Sequence, residues 1–298
     1  MQNNRHLPVL LTEVLDGLAV QMGETVLDTT VGLGGHSAAF LEAIGESGHL
    51  IALDADSENL EEAKQNHSSL SGQKTYHHKN FREISDIDLP QCDVIFADLG
   101  VSSPHFDDPE RGFSFRSEGP LDLRFDRTSG QTAAEIISSS TSEDIQQILS
   151  RFGEVRSARK LADEIMQVKP QTTQSLKECV ENVCGFRAKN VLPQVFQAFR
   201  IAVNNELYAL EVLLGYAPSL LKKGGRLAII SFHSLEDRMV KQKFRELTTP
   251  VIDETTGAVA KEASFNLFQR KAIKPTEDEI KNNSRARSAR LRILLKAP

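Results

Sequence analysis

Residues 24–37 read Glu24-Thr25-Val26-Leu27-Asp28-Thr29-Thr30-Val31-Gly32-Leu33-Gly34-Gly35-His36-Ser37. The apolar start predicts a short buried strand over 24–30, and the glycines that follow predict a tight turn. A helix is expected from Ser37 to about Ile44, where Gly45 stops it. Outward from this unit the pattern repeats. A strand over His49 to Leu53 is closed by Asp54-Ala55-Asp56, and Ser57 is placed to cap a helix running to Asn66. Glu58 and Glu61 favour the positive end of that helix. A weaker strand is expected over Lys74 to His78, and a fourth over Cys92 to Ala97, ending in Asp98-Leu99-Gly100. Strands alternating with helices indicate an α/β fold, a doubly wound parallel sheet covered on both faces.

The alternation then stops. From His105 to about Asn204 only helical patterns are visible: Ala133 to Ile137, Ser142 to Phe152, Arg156 to Val168, and Val195 to Val203. It resumes with a helix whose Leu207, Leu210, Leu213, Leu214, Ala217 and Leu221 share one face. Lys222-Lys223-Gly224-Gly225 turns into a strand over Arg226 to Phe232, and two more strands are expected at about Ser264 to Ile273 and Ala289 to Leu295. The reading is a discontinuous α/β domain, 1–104 and 205–298, interrupted by a mostly helical domain, 105–204.

Composition narrows the class. The chain has 298 residues, 40% hydrophobic and 26% charged, as in an ordinary soluble protein. Glu13 and Asp16 interrupt the apolar stretch a signal peptide would need, and the apolar run near Leu227 to Phe232 is too short to cross a bilayer. A cytoplasmic protein with no membrane partner is expected. Three cysteines make no disulfide framework, and Cys179 and Cys184 lack a second pair at zinc-ligand spacing, so no metal site is expected. The net charge of −6 disfavours indiscriminate nucleic-acid coating. Yet 281–298 carries Lys281, Arg285, Arg287, Arg290, Arg292 and Lys296 without an acid. This run is either a phosphate-contacting surface or a strand edge kept soluble by charge.

The first candidate site is the glycine loop with Asp54. Glycines after the first strand admit a ligand against the backbone near a helix N-terminus, and an acid about 20 residues on can hold ribose hydroxyls. Ser37 stands where the dinucleotide fingerprint needs a glycine, which disfavours a pyrophosphate. An adenosine site follows, open between S-adenosylmethionine (SAM) and NAD. The second candidate is Asp98-Leu99-Gly100-Val101-Ser102-Ser103-Pro104-His105, at the carboxyl end of the fourth strand, where doubly wound sheets bind ligands. The third is Ser231-Phe232-His233-Ser234-Leu235-Glu236-Asp237-Arg238. It lacks the glycine-x-serine-x-glycine elbow of a hydrolase, so His233 is read as shaping a cleft or as a core residue. The fourth pairs Arg111-Gly112-Phe113-Ser114-Phe115 with Pro120-Leu121-Asp122-Leu123-Arg124-Phe125-Asp126. Arg111, Phe113 and Arg124 could contact bases and phosphates, but composition favours a loop anchored to the core by its phenylalanines. Phe196, Phe199 and Arg200 stand at the helical spacing of core packing.

Taken in order, PVLLTEVL (8–15), DTTVGLGGHS (28–37), DLGVSSPHFD (98–107), RGFSF (111–115), GPLDLRFD (119–126), RFGEVRSARKLADEI (151–165), FQAFRIAVNNEL (196–207), GGRLAIISFHSLEDRMVK (224–241) and SRARSARLRI (284–293) span nearly the whole chain. The set closely resembles the bacterial 16S rRNA (cytosine-N4)-methyltransferase family, which modifies the ribosomal decoding centre. The resemblance implies a class I SAM-methyltransferase domain with an inserted helical substrate-recognition domain. It implies SAM contacts at Gly34, Gly35, His36, Asp54, Phe81, Asp98 and His105, no metal, and 16S rRNA, within the small ribosomal subunit, as partner. The chain departs from the family in carrying His105 where many members have glutamine. It also carries Asn190-Val191-Leu192-Pro193-Gln194-Val195 where many have a His-Pro-Ala-Thr-Arg type segment.

For that chemistry the catalytic group is Asp98 with Ser102, Ser103 and Pro104. Acceptors on the serine-proline loop would draw on the amino hydrogens of cytosine and free the N4 lone pair, while Asp98 orients donor and loop. No general base is assigned. The rival readings are a nicotinamide-dependent dehydrogenase, a DNA cytosine-N4 methyltransferase, and a non-catalytic RNA-binding assembly factor. The oligomeric state is not legible.

Overall fold

The computed structural model describes residues 8–298 except 254 and 257. In chain order the first half forms α1 (Leu11–Leu18), β1 (Thr25–Asp28), α2 (Gly35–Ile44), β2 (His49–Asp54), α3 (Ser57–Asn66), β3 (Gln73–His78) and β4 (Cys92–Asp98). Then follow α4 (Ser103–Asp107), α5 (Ala133–Ser139), α6 (Ser142–Gly153), α7 (Ala158–Val168), α8 (Thr173–Cys184), α9 (Ala188–Asn204) and α10 (Glu206–Leu220). The last part contains β5 (Leu221–Ser231), α11 (Ser234–Leu247), β6 (Val251–Ile252), β7 (Val259–Lys261), β8 (Phe265–Leu267), α12 (Glu277–Asn282) and β9 (Arg290–Lys296).

The chain divides into two compact units. One runs to Gly100 and resumes at Tyr208; the other is Val101–Leu207. In the first, seven strands form one sheet in the order β3-β2-β1-β4-β5-β9-β8. β1 to β5 are parallel, while β9 runs antiparallel to both β5 and β8. Side chains alternate between faces with a period of two. Val26, Leu50, Ala52, Val94, Phe96, Ala228 and Ile230 enter one core with α1 and α2. Leu27, Ile51, Leu53, Ile95, Ala97, Leu227 and Ile229 enter the other with α10 and α11. Burial on both faces explains why these strands read as continuous apolar runs. Strand order reverses at β1, with β2 on one side and β4 on the other, and a doubly wound sheet opens a ligand crevice at such a point.

The Val101–Leu207 unit has its own core. Ile137, Ile145, Leu149, Leu161, Ile165, Leu176, Val180 and Phe199 are all fully buried. Arg200 grips Glu206 through two hydrogen bonds, Nε to Oε1 at 2.8 Å and Nη2 to Oε2 at 2.9 Å, across the bend at Asn205. Phe196 and Phe199 are buried, as their spacing predicts.

Several boundaries differ from the sequence reading. Asp56, not Ser57, caps α3, its carboxylate accepting the Glu58 amide at 2.9 Å. β5 begins five residues early, at Leu221, because Leu221 pairs with Cys92 before an irregularity at Gly224 and Gly225 re-registers the strand. α8 was not expected; Thr173, Leu176, Cys179 and Val180 form its buried stripe. α9 starts at Ala188, running through Pro193, which sits in its second turn and removes one helical hydrogen bond from the exposed Lys189 carbonyl. The strand expected over 264–273 shrinks to Phe265–Leu267 plus an isolated pairing of Ile273 with Leu291. In the basic terminal run, Arg290 and Arg292 both bind Asp237 of α11, at 3.3 and 2.8 Å. Cys92 and Cys179 are buried thiols, and Cys184 is half-buried. No helix among the described residues is long and apolar enough to cross a membrane.

Candidate cofactor site and methylase family

The carboxyl ends of β1, β2 and β4 carry one carboxyl each, and a histidine of α2 stands beside them. Asp28 ends β1, fully enclosed, and accepts the Thr30 amide at 3.0 Å and the Ser37 hydroxyl at 2.5 Å. Burial outweighs these bonds and pushes its carboxyl up to about 6. Asp54 ends β2 and accepts two amides, that of Gly32 at 2.7 Å and that of Asp56 at 2.8 Å. It is pushed up to about 7, mainly by burial, with the charges of Asp56 and Asp28 adding to it. Each of its oxygens keeps a lone pair for a further donor, so the acid end of β2 can take hydroxyl groups while it braces the glycine loop.

Asp98 ends β4. Its amide donates to Thr30 Oγ1 at 2.6 Å, and its Oδ2 lies 3.7 Å from His36 Nδ1. Its Oδ1 is buried with no hydrogen-bond partner among the described residues, although 26% of the side chain remains exposed. Burial, with the negative charges of Asp28 and Glu236, raises this carboxyl well above the usual range. His36 moves the other way. Burial lowers it to about 4, and its Nε2 lies 3.0 Å from the Val9 carbonyl, so Nε2 carries the proton and Nδ1 faces Asp98. With the imidazole neutral, the contact is not an ion pair. A buried carboxyl oxygen without a donor is costly unless a cation or donor meets it.

The glycines serve more than one purpose. Gly34 caps α2 with φ +86°, and a side chain there would strike His67; one at Gly35 would come within 2.5 Å of Pro8. Their smallness is therefore required by the protein's own packing. Gly32, at φ +52°, has nothing within 4 Å of where a side chain would begin. Phe81 stands first in a short 3-10 turn, Phe81–Asp86, half-buried against the core below β2 and β4. The structure thus gathers Gly34, Gly35, His36, Asp54 and Asp98 around the ends of three adjacent strands. It adds groups to which the sequence reading gave no role: Asp28, Thr30 and His67. Buried His67 sits 2.9 Å from both the Gly34 carbonyl and the Tyr76 hydroxyl, and Asn66 donates to the Leu33 carbonyl at 2.9 Å. No periodicity marks His67, because it lies just past the end of α3.

SAM is the group expected here, and the donor set fits it. Asp54 offers acceptors for a ribose diol, the Phe81 ring an apolar surface for a base, and the orphaned Asp98 oxygen a counter-charge for a cation. A pyrophosphate would instead meet three carboxyls.

His233 caps α11: its Nδ1 accepts the Glu236 amide at 3.4 Å, and Glu236 Oε2 accepts the Phe232 and His233 amides at 2.8 and 3.2 Å. In the Val101–Leu207 unit, Ser102 caps α4, and His105 Nδ1 accepts the Ser102 amide at 3.0 Å. The buried His105 ring packs on Phe113 and Phe125, with centroids 4.9 and 5.3 Å away. Ser103 and Pro104 form the first turn of α4. Arg111 is buried, donating to the Arg124 and Phe125 carbonyls at 3.2 and 2.9 Å, and Phe113 is buried too. Arg124 is held by Asp122 through two bonds, 2.7 and 3.0 Å. These side chains build the loop in which they lie.

Relatives with curated names match at full length. "Ribosomal RNA small subunit methyltransferase H" of Bacteroides thetaiotaomicron is 42% identical, over 97% of this chain and 96% of the relative. The protein of that name from Halothermothrix orenii is 39% identical over 97% of each. Among solved structures, a SAM-dependent O-methyltransferase from Thermotoga maritima aligns at TM-score 0.43 and 14% identity, covering 100% of this chain and 69% of that one. An rRNA methylase from Streptococcus thermophilus aligns at TM-score 0.42 and 14% identity, covering 96% and 95%. The model of the MraW methylase family matches residues 3–297, and with relatives this similar over their whole lengths the chain belongs to that family.

Proposed function

We propose that this chain transfers a methyl group from SAM to the exocyclic N4 of a cytidine in 16S rRNA, at the decoding centre of the small ribosomal subunit, in the cytoplasm. Membership of a methylase family supports the reaction type. The observation that carries the donor is the Asp98 carboxyl, buried at Oδ1 without a hydrogen-bond partner among the described residues, beside a neutral imidazole.

When bound, SAM supplies an already activated methyl on a sulfonium. Asp54 and Phe81 hold its nucleoside part, and the glycine loop, braced by its Gly32 amide on Asp54, leaves room beside them. Asp98 ionises against the positive charge and fixes the donor's orientation. The amine of cytosine is a poor nucleophile because its lone pair is delocalised into the ring. Oxygens of the Ser102-Ser103-Pro104 turn accept from its hydrogens and turn that lone pair outward. Orientation of this kind can contribute roughly 7–11 kcal/mol in well-aligned reactants. The methylated amine is acidic enough to lose its proton to water. Arg111, Phe113 and Arg124 shape the loop that follows this turn, and His233 fixes the start of α11. The Val101–Leu207 unit recognises the RNA, whose target base is unpaired or extruded.

The test is transfer of labelled methyl from SAM to small-subunit rRNA, as free RNA and as assembled subunit, with the product mapped by mass spectrometry. N4-methylcytidine at one decoding-centre position is the expected product. Label entering DNA but not rRNA, or calorimetric binding of NAD and not SAM, would overturn the proposal.

A further inference from the structure

At the α8–α9 junction of the Val101–Leu207 unit, Gly185–Arg187 forms a single 3-10 turn. Phe186 at its centre is 85% exposed, the highest value for a large apolar side chain among the described residues. Lone apolar residues on a surface are common and by themselves mean little. This one has company. The Arg187 guanidinium lies 5.4 Å from its ring centroid, in cation–π range. Ser157 Oγ and Cys184 Sγ are 3.6 Å apart, which brings the α6–α7 loop, with exposed Arg156, beside the turn. Lys189 follows, also exposed, and no acid occurs between Glu181 and Glu206. The turn is held from within: Cys179 and Ala188 on either side are buried.

We infer that Phe186 and Arg187 form a stacking platform for an unpaired RNA base, with Arg156 and Lys189 meeting the adjoining phosphates. An aromatic face stacks on any base, and an arginine beside it adds attraction and phosphate contacts, which is how single-stranded RNA is held without a duplex groove. Exposed Arg156, Arg187 and Lys189 outnumber the exposed acids at its edges, Glu154 and Glu181, which favours an anionic partner over an apolar protein one. The platform leads directly into α9 at Ala188. The inference rests on reading the substrate as RNA.

The experiment compares Phe186→Ala, Phe186→Tyr and Phe186→Leu in the full-length protein. Fluorescence anisotropy reads binding of a labelled single-stranded fragment of small-subunit rRNA, and steady-state transfer reads KM for RNA and for SAM. Phe186→Ala should weaken RNA binding about 5- to 150-fold, the range that loss of one base–aromatic stack gives. It should leave Tm and the KM for SAM unchanged, since the side chain is exposed. Tyrosine should restore binding, and leucine should not. Wild-type affinity for RNA in Phe186→Ala, or rescue by leucine equal to that by tyrosine, would overturn the platform. Absence of methyl transfer by the wild type, with Phe186-dependent RNA binding intact, would instead count against the proposed reaction.

Discussion

The amide of Asp98 donates to the hydroxyl of Thr30 across 2.6 Å, tying the end of β4 to the loop that leaves β1. Thr29 makes a second tie, its amide and hydroxyl both donating to the Phe96 carbonyl at 2.9 Å. The backbone on which the central carboxyl stands is thus fixed by two threonines.

Replacing Thr30 by valine keeps the shape and removes the acceptor. An amide left unpaired in a partly buried site costs about 1–3 kcal/mol. Urea denaturation of Thr30→Val should show a loss in that range. The KM for SAM should rise because Asp98 is no longer held.

Asp98→Asn and Ser103→Ala separate donor orientation from acceptor orientation. Asp98→Asn should raise the KM for SAM and lower kcat by about 100-fold, as loss of one preorganised electrostatic contact does. Ser103→Ala should lower kcat by up to about tenfold and leave SAM affinity unchanged, as loss of one hydrogen bond worth about 1 kcal/mol does. Near-normal turnover in both folded variants would remove these residues from the reaction.

Affinity for SAM should increase with pH. Asp54, at about 7, accepts donors best when ionised, and Asp98, raised well above its usual value, must ionise to meet a cation. Calorimetry from pH 6 to 8 in buffers of different ionisation enthalpy should show tighter binding and proton release. Asp54→Asn should retain only the part of the slope owed to Asp98. Stability of the unliganded protein follows the opposite sign. Folded values of about 6 for Asp28 and 7 for Asp54 exceed the ordinary 3.8, so their contribution is complete below 3.8 and lost as pH rises through 6–7. His36 opposes this: lowered from 6.5 to about 4, its contribution is present above 6.5 and lost as pH falls through 4.

The loop over 108–124 should tolerate no side chain at two glycines. Gly112 has φ +73°, and a methyl there would strike the Pro120 carbonyl; at Gly119 it would strike the Pro109 carbonyl. Gly112→Ala and Gly119→Ala should each destabilise the Val101–Leu207 unit by more than about 2 kcal/mol, as backbone strain and overpacking do. Thermal denaturation followed by limited proteolysis between 101 and 207 would check this.

How much was legible depended on how local the cause is. β1, β2 and β4 were readable within a few residues because burial on both faces makes each an unbroken apolar run. Asp54 and Asp98 were readable as strand-end acids after such runs. α8 was not, although Thr173, Leu176, Cys179 and Val180 stand at helical spacing, because polar Thr173 and the cysteine weaken its apolar stripe, and the start of α9 was hidden by Pro193. The duties of Thr30 and His67 depend on partners 68 and 33 residues away in sequence. Arg290 and Arg292 looked like a surface run because Asp237, 53 and 55 residues distant, is invisible from the strand itself. The loop reading of 111–126 as anchored by its phenylalanines held for Phe113, which is 4% exposed.

β4 and β5 are hydrogen-bonded neighbours, yet Asp98 and Leu221 are separated by the whole Val101–Leu207 unit. On a translating ribosome, at ~5–20 residues per second, β4 therefore waits on the order of ten seconds for its partner. Through that interval one edge of an apolar strand stands unpaired, the condition that invites aggregation. A helical unit with its own core can collapse during the delay and shorten the span that β5 must cross. Mutations that slow its collapse would then lower the yield of native enzyme at the nascent-chain stage, even where they leave the finished molecule stable.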